Sequence, residues 1–340
     1  MSNSERRATS AEDALALAER ARIHRIDLPT PFLVGRVNCY LIEDDPLTLV
    51  DTGPNSGKSL DGLERALEAH GRTIEDLELI VVTHQHMDHL GLLEILARRS
   101  GAEVASLHLL ESYLADFSRS AAADDEFARA VMRRHGVPDD LATALGALAA
   151  ALRAFGSSGR VTRPLLDGED LSLRDRTLRI LHRPGHSPSD TVLWDSDREI
   201  LIAGDHLLAH ISSNPLVSRP LAGPSEPRPR ALLQYMDSMR ATSELPARLV
   251  LPGHGDPILD HAELIDERLR MHRRRAERIH QIIAAQPLSA YEIAVRMWGN
   301  VAVTQAYLTL SEVLGHLDLL VSTGQAVEHG SDGLSVFEAT

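Results

Sequence analysis

The sequence predicts an α+β protein: a four-layered αββα sandwich with a long helical insertion, followed by a compact second domain. Three observations predict it. Short β-rich runs alternate with helical patterns in two stretches, about 22–108 and 161–251, an order that suggests two βα layers facing one another. An Ala- and Leu-rich segment, 109–156, separates them and is much longer than a sandwich connection requires. Beyond residue 260 a long helix stops before Pro287, and short helices and a Gly-punctuated hairpin complete the chain.

Each element has its own signal. Residues 1–10 are polar with no apolar h-region, and Glu5, Glu12 and Asp13 argue against a transit peptide. We expect 1–20 to be a disordered tail and the protein to be cytoplasmic. Residues 37–43 and 47–50, separated by Asp44-Asp45-Pro46, read as a hairpin. After Asp51-Thr52-Gly53 a helix is expected over about 58–69, closed by Gly71. The wholly apolar Leu79-Ile80-Val81-Val82 reads as a buried central strand, and it runs straight into Thr83-His84-Gln85-His86-Met87-Asp88-His89. A helix over 90–99 and a strand around Val104 follow. Residues 109–156 read as two or three helices broken at Gly136-Val137-Pro138. β signals return at 161–166, 171–182, 191–195 and 199–204. A Pro-rich loop at 215–229, a helix at about 230–242, a strand at 248–251 and a helix at about 260–285 come next.

Composition narrows the function. With 340 residues, 43% hydrophobic and 25% charged, the chain suits an ordinary globular protein and excludes wholesale disorder. Its longest apolar runs, such as 147–152, fall far short of the ~20 residues a membrane span needs. The single cysteine, Cys39, rules out an internal disulfide. A net charge of −14 makes a general polyanion binder a poor first choice. Only Lys58 is a lysine, and aromatics at 4% leave few stacking platforms for single-stranded nucleic acid. Seventeen histidines are the one unusual excess, and they point to metal.

The histidines are not scattered. His84, His86, Asp88 and His89 lie together just after a buried strand. In an extended segment, residues two apart point the same way, so His84 and His86 can chelate one ion. Asp88 and His89 offer a carboxylate and an imidazole to a second. Three further candidates, His186 in Pro184-Gly185-His186, Asp205 in Gly204-Asp205-His206 and His254 in Pro252-Gly253-His254-Gly255, each follow a β-like run. A glycine beside each lets the backbone approach a crowded site or adopt positive φ.

This set, in this order, resembles the metallo-β-lactamase superfamily of dinuclear metallohydrolases over about residues 21 to 260. The resemblance implies a metallo-β-lactamase domain at 21–259, with 109–156 as a helical lid insertion and 260–286 as a connecting helix. It implies His84, His86 and His186 on one metal, Asp88, His89 and His254 on the other, and Asp205 bridging both. Asp51 matches the aspartate that supports the metal loop from behind. All seven donors are His or Asp, which suits two divalent ions, zinc first, with iron and manganese also compatible. Such a pair, ~3.5–4 Å apart, makes a bridging hydroxide available near neutral pH. Asp88 would act as the catalytic residue that orients it and passes a proton to the leaving group. No cysteine stands where class B1 β-lactamases carry one, so antibiotic hydrolysis is not implied.

Substrate is a separate question. The insertion carries Leu109, Leu110, Leu114, Phe117, Phe127, Val131 and Met132 at near-helical spacing, and we expect it to cover an apolar acyl pocket with Phe117 and Met132 among the contacts. His206, His210 and Asn214 are expected to line the substrate side of the site. Residues 287–340 look like a winged helix, and with the Arg-rich helix before it (Arg268, Arg270, Arg273, Arg274, Arg275, Arg278) they resemble the branch of the superfamily that includes a β-lactamase-like endoribonuclease. That domain, however, has one basic residue, Arg296, against six acidic ones, and a phosphate-contacting surface needs cations. It is therefore expected to be structural or a homodimer contact. The reading is a hydrolase of a small acyl substrate (thioester, ester or lactone), with a single-stranded RNA endoribonuclease as the alternative.

Overall fold

The computed structural model describes residues 10–223, 226–331 and 333–340. A six-stranded sheet runs in the order β1 (Ile23–Leu28), β2 (Val37–Ile42), β3 (Thr48–Val50), β4 (Leu79–Val82), β5 (Glu103–Leu107), β6 (Arg163–Leu165). Its first three strands are antiparallel and the rest parallel. A five-stranded sheet comprises β7 (Asp170–Ser172), β8 (Thr177–His182), β9 (Thr191–Asp195), β10 (Ile200–Gly204) and β11 (Leu249–Pro252), antiparallel except for the β10–β11 pair.

The central strands β4 and β10 are apolar on both faces because helices or the other sheet cover both, whereas β1, β6, β7 and β8 keep polar residues at exposed or half-exposed positions. Successive side chains point to opposite sides. In β4, Leu79 and Val81 enter the core between the sheets, whereas Ile80 and Val82 face the outer helices. In β10, Ile200 and Ile202 point inwards, and Leu201 and Ala203 outwards. The sandwich is thus the αββα arrangement expected.

The helices complete the layers and supply the corrections. Residues 11–20 are not a tail but a helix, α1 (Ala11–Arg20), capped by Ser10 and burying Ala14 and Ala18. The rest of the expected tail, 1–9, lies outside the described residues. Outside the first sheet, α2 (Gly57–Ala69) packs Leu63 and Leu67. The helix expected over 90–99 is two: α3 (Met87–Leu90), which starts inside the histidine motif, and α4 (Leu93–Ser100). The insertion forms α5 (Glu111–Ala115), α6 (Phe117–Arg134) and α7 (Asp139–Leu152). Outside the second sheet, α8 (Ala231–Ser243) buries Leu232, Tyr235 and Met239, and α9 (His261–Ile283) buries Ile265 and Leu269.

The remainder forms α10 (Ala290–Trp298), α11 (Val301–Thr304), α12 (Ala306–Ser322) and the hairpin β12 (Ala326–Ser331) and β13 (Leu334–Ala339). These elements do not stand apart. Ile293, Leu310, Leu314 and Phe337 share one core with Val131, Met132 and Ala142 of the insertion and Ile279 and Ile283 of α9. The insertion is therefore less a free lid than a wall held in place by the C-terminal elements. Among the described residues no helix is long and apolar enough to cross a membrane.

Candidate metal centre

The seven His and Asp side chains singled out in the sequence meet at one edge of the sandwich. His84 and His86 follow β4, Asp88 and His89 open α3, His186 lies between β8 and β9, Asp205 follows β10, and His254 follows β11. Strands of both sheets thus end at the same place, and that is what gathers residues far apart in sequence.

Three ring nitrogens crowd together: His86 Nδ1 is 3.0 Å from His84 Nε2 and 2.9 Å from His186 Nε2. Beside them, Asp205 Oδ1 is 3.4 Å from His89 Nε2, and Asp205 Oδ2 is 3.4 Å from His254 Nε2 and 3.6 Å from His186 Nε2. Asp88 Oδ2 completes the group at 3.4 Å from His254 Nε2. His89 Nε2, His254 Nε2 and Asp205 Oδ1 are buried without a hydrogen-bond partner. Leaving such atoms unsatisfied costs about 1–3 kcal/mol each, and a cation among them would satisfy all three. Two donor sets, His84–His86–His186 and Asp88–His89–His254, joined by a third group in which Asp205 lies with His84 and His89, fit a pair of divalent ions.

The far side of each ring is held. His254 Nδ1 donates to the Arg36 carbonyl at 2.7 Å, and His186 Nδ1 to the Asn214 carbonyl at 3.1 Å, which points each Nε2 at the cluster. Asp51 supports two rings at once. Its Oδ2 accepts from His89 Nδ1 at 2.8 Å and from Thr83 Oγ1 at 2.9 Å, and Thr83 Oγ1 in turn accepts from His84 Nδ1 at 3.0 Å. Asp51 adopts φ of +60°, an uncommon conformation for a non-glycine residue that places its carboxylate under the motif.

Charge follows the same division. Burial, reinforced by His186, pushes His86 down to about 3, and burial with His89 pushes His84 well below its usual value, so both rings are neutral and able to ligate. Burial opposes charge on His254 as well, but Asp205 and Asp88 outweigh it and raise the ring to about 10. Metal entering at neutral pH must therefore displace a proton from His254. Ion uptake by the metal-free chain at pH 7 is expected to release protons, seen as a dependence of calorimetric heat on buffer ionisation. Apparent affinity should climb with pH by about an order of magnitude per unit for each proton displaced. Uptake with no proton release would contradict this.

A cavity of about 620 Å³ opens over the cluster, with His86, Asp88, His186 and Asp205 at its floor. Of the expected substrate-side residues, Phe117 and Asn214 line it. His206 does not: it is fully buried, with Nε2 2.9 Å from Thr242 Oγ1, and burial pushes it down to about 3. His210 is exposed beside Asp256 at 3.2 Å and lies outside the cavity wall. Met132 does not line this cavity; it is buried in the core shared with the C-terminal elements and lines a smaller cavity beside it.

Other wall residues were not anticipated. Phe32, Leu33 and Val34 come from the loop between β1 and β2, and Gln305 and Leu308 from the C-terminal elements. Asn38 was missed too. Its Nδ2 donates to the carbonyls of Pro252 and Gly255, both at 2.9 Å, and so clamps the loop that carries His254. A lone amide in the apolar run Val37-Asn38-Cys39-Tyr40-Leu41-Ile42 was the available signal.

An αββα sandwich with a His/Asp cluster at the strand ends defines the class, a metal-dependent hydrolase. The chain belongs to the metallo-beta-lactamase superfamily, whose profile matches residues 33–254. It is 32% identical over 315 residues to the probable metallo-hydrolase YqjP of Bacillus subtilis (strain 168), covering 93% of this chain and 97% of that one. A beta-lactamase domain protein from Burkholderia ambifaria has the same fold, with a TM-score of 0.79 at 28% identity, covering 94% of this chain and 92% of that one. Over 147 residues the chain is 26% identical to the atrochrysone carboxyl ACP thioesterase of Aspergillus fumigatus, covering 43% of this chain and 32% of that one.

Proposed function

We propose that the protein is a dinuclear metallohydrolase of small acyl substrates, thioesters first, with esters and lactones in the same class. The observation that carries this reading is the cavity over the cluster. Its floor is His and Asp, and its walls include Phe32, Leu33, Phe117, Leu152, Ile211 and Leu308. An acyl chain would lie against those walls with its carbonyl at the floor. The likeness to a thioesterase supports the same chemistry.

His84, His86 and His186 would hold one ion, Asp88, His89 and His254 the other, and Asp205 both. Zinc suits the nitrogen and carboxylate donors best, with iron and manganese next. Bound there, two such ions supply Lewis acidity and a hydroxide nucleophile near neutral pH. The chain's own groups do the rest. Burial opposes ionisation of Asp88, but His89 and His254 outweigh it and keep its carboxylate charged, so that it can orient the attacking water and move a proton to the leaving group. Asp51, Asn38 and the Asn214 carbonyl hold the rings, and the apolar walls keep bulk water from the carbonyl.

The RNA reading has weaker support. Of the six arginines of α9, Arg268 donates to the Ala209 carbonyl and Arg275 pairs with Glu312, so neither is free for phosphate. A screen of the purified chain on acyl-CoA, lactone and single-stranded RNA panels, with elemental analysis, tests the choice. We expect close to two metal ions per chain, acyl turnover lost on chelation, and no RNA cleavage. Metal-dependent RNA cleavage without acyl turnover, abolished by reversing the exposed Arg273 and Arg274 to Glu, would overturn it.

A further inference from the structure

A second cavity, of about 220 Å³, lies beside the metal-facing one, between the insertion and the C-terminal elements. The two share Gln85, His86, Tyr113, Asp124, Asp125, Ala149 and Leu216 as walls, so the inner cavity begins at a side chain of the metal cluster. Its far part is apolar: Phe127, Ala128 and Met132 from α6, Leu145 from α7, and Val217.

The charged groups on the common wall are already paired. Asp124 accepts from Tyr113 Oη and from Arg219 Nε, both at 2.9 Å, and Asp125 pairs with Arg153 at 2.9 Å. The Tyr307 hydroxyl donates to the Val217 carbonyl. With those charges engaged, what the chamber offers a guest is apolar surface. Protein interiors seldom keep hollows larger than a water molecule, because their lining atoms forfeit dispersion contacts. A hollow of this size, walled by the insertion and the C-terminal elements and sharing part of its wall with the metal-facing cavity, has room for part of a substrate.

We propose that this inner chamber receives the tail of the substrate's acyl group, so that the enzyme selects medium-length acyl chains over acetyl. The inference rests on the acyl-hydrolase reading above. The carbonyl sits at the floor by His86, His186 and Asp205. The chain then passes Tyr113 and Asp124 and ends among Ala128, Met132 and Leu145, which set its length limit. Each methylene buried there strengthens binding by up to about fourfold.

The test compares kcat/KM for a series of straight-chain acyl thioesters, from acetyl to palmitoyl, in the metal-loaded full chain and two variants. In the parent, kcat/KM is expected to rise with chain length to a maximum and then fall. Ala128→Phe fills the chamber and should reduce the octanoyl-to-acetyl ratio by about tenfold or more, mainly through KM. Met132→Ala opens the far end and should move the maximum to longer chains, an opposite effect that a merely destabilised variant would not produce. Metal content measured alongside checks that both variants keep the site. A parent active on acyl thioesters whose length profile is the same in both variants overturns the chamber assignment alone. A parent with no acyl turnover at any length overturns the acyl reading and this inference with it.

Discussion

Asp205→Ala is expected to abolish turnover while leaving the sandwich folded. Asp205 lies between both donor sets, with one oxygen 3.4 Å from His89 Nε2 and the other 3.4 Å from His254 Nε2. Burial resists its ionisation, but His89 and His254 hold its carboxyl well below the ordinary carboxylate range, so it is fully charged at neutral pH. Removing it takes away the carboxylate that the proposed pair of ions would share. Lewis-acid stabilisation of several kcal/mol goes with it, a loss on the order of a thousandfold in kcat. The backbone has little reason to change, since Asp205 follows the end of β10 and its side chain fills no hydrophobic core. Elemental analysis should show reduced metal, and circular dichroism a parental spectrum. An unaltered kcat would contradict the assignment.

Gly253→Ala is expected to have nearly the same effect, although Gly253 offers no side chain to the site. A Cβ built there falls 2.2 Å from Asp205 Oδ1, 2.8 Å from His89 Cε1 and 3.1 Å from the Gly204 carbonyl carbon. Carbon atoms do not approach that closely, so either the carboxylate leaves its position or the His254 loop moves away. In both cases the second donor set loses its geometry, and activity should drop by about a hundredfold or more. Gly255→Ala, two residues on, is the control. Its φ of +75° strains any side chain, yet the nearest atom to its Cβ is His210 Cδ2 at 3.4 Å. That change should cost about 1–2 kcal/mol of stability and little activity. Equal turnover in the Gly253 variant and the parent would show that the loop can shift without disturbing the donors.

Legibility in the sequence tracked how local each signal was. The strands 79–82 and 200–204 were readable because burial on both faces leaves no room for polar residues. The His84–His89 motif was readable because its donors sit on one short turn. Glycine next to Asp205 and His254 was read as close approach, and Gly253 shows why. The errors came where a side chain's direction depends on a distant partner. His206 adjoins Asp205, but it turns towards Thr242 on α8. Met132 belongs to the same apolar stripe as Phe117, yet it is buried in the core shared with the C-terminal elements and lines the smaller cavity, whereas Phe117 lines the one over the cluster. α1 went unrecognised because its apolar stripe is mostly alanine, a weak signal beside its charged residues.

By itself the sequence determined the αββα order, the seven His and Asp residues that meet at one edge of the sandwich, and how few basic residues the C-terminal elements carry. Those are properties of residue type and spacing along the chain. The tertiary structure alone decided which face of the insertion lines the cavity over the cluster. It also decided that Leu308 and Gln305, more than two hundred residues beyond His86, help wall the same cavity. Such assignments depend on which elements exclude water together. Apolar burial is non-directional and records no partner in the local pattern, so only the assembled packing shows which side chains share a core and which are left facing a cavity.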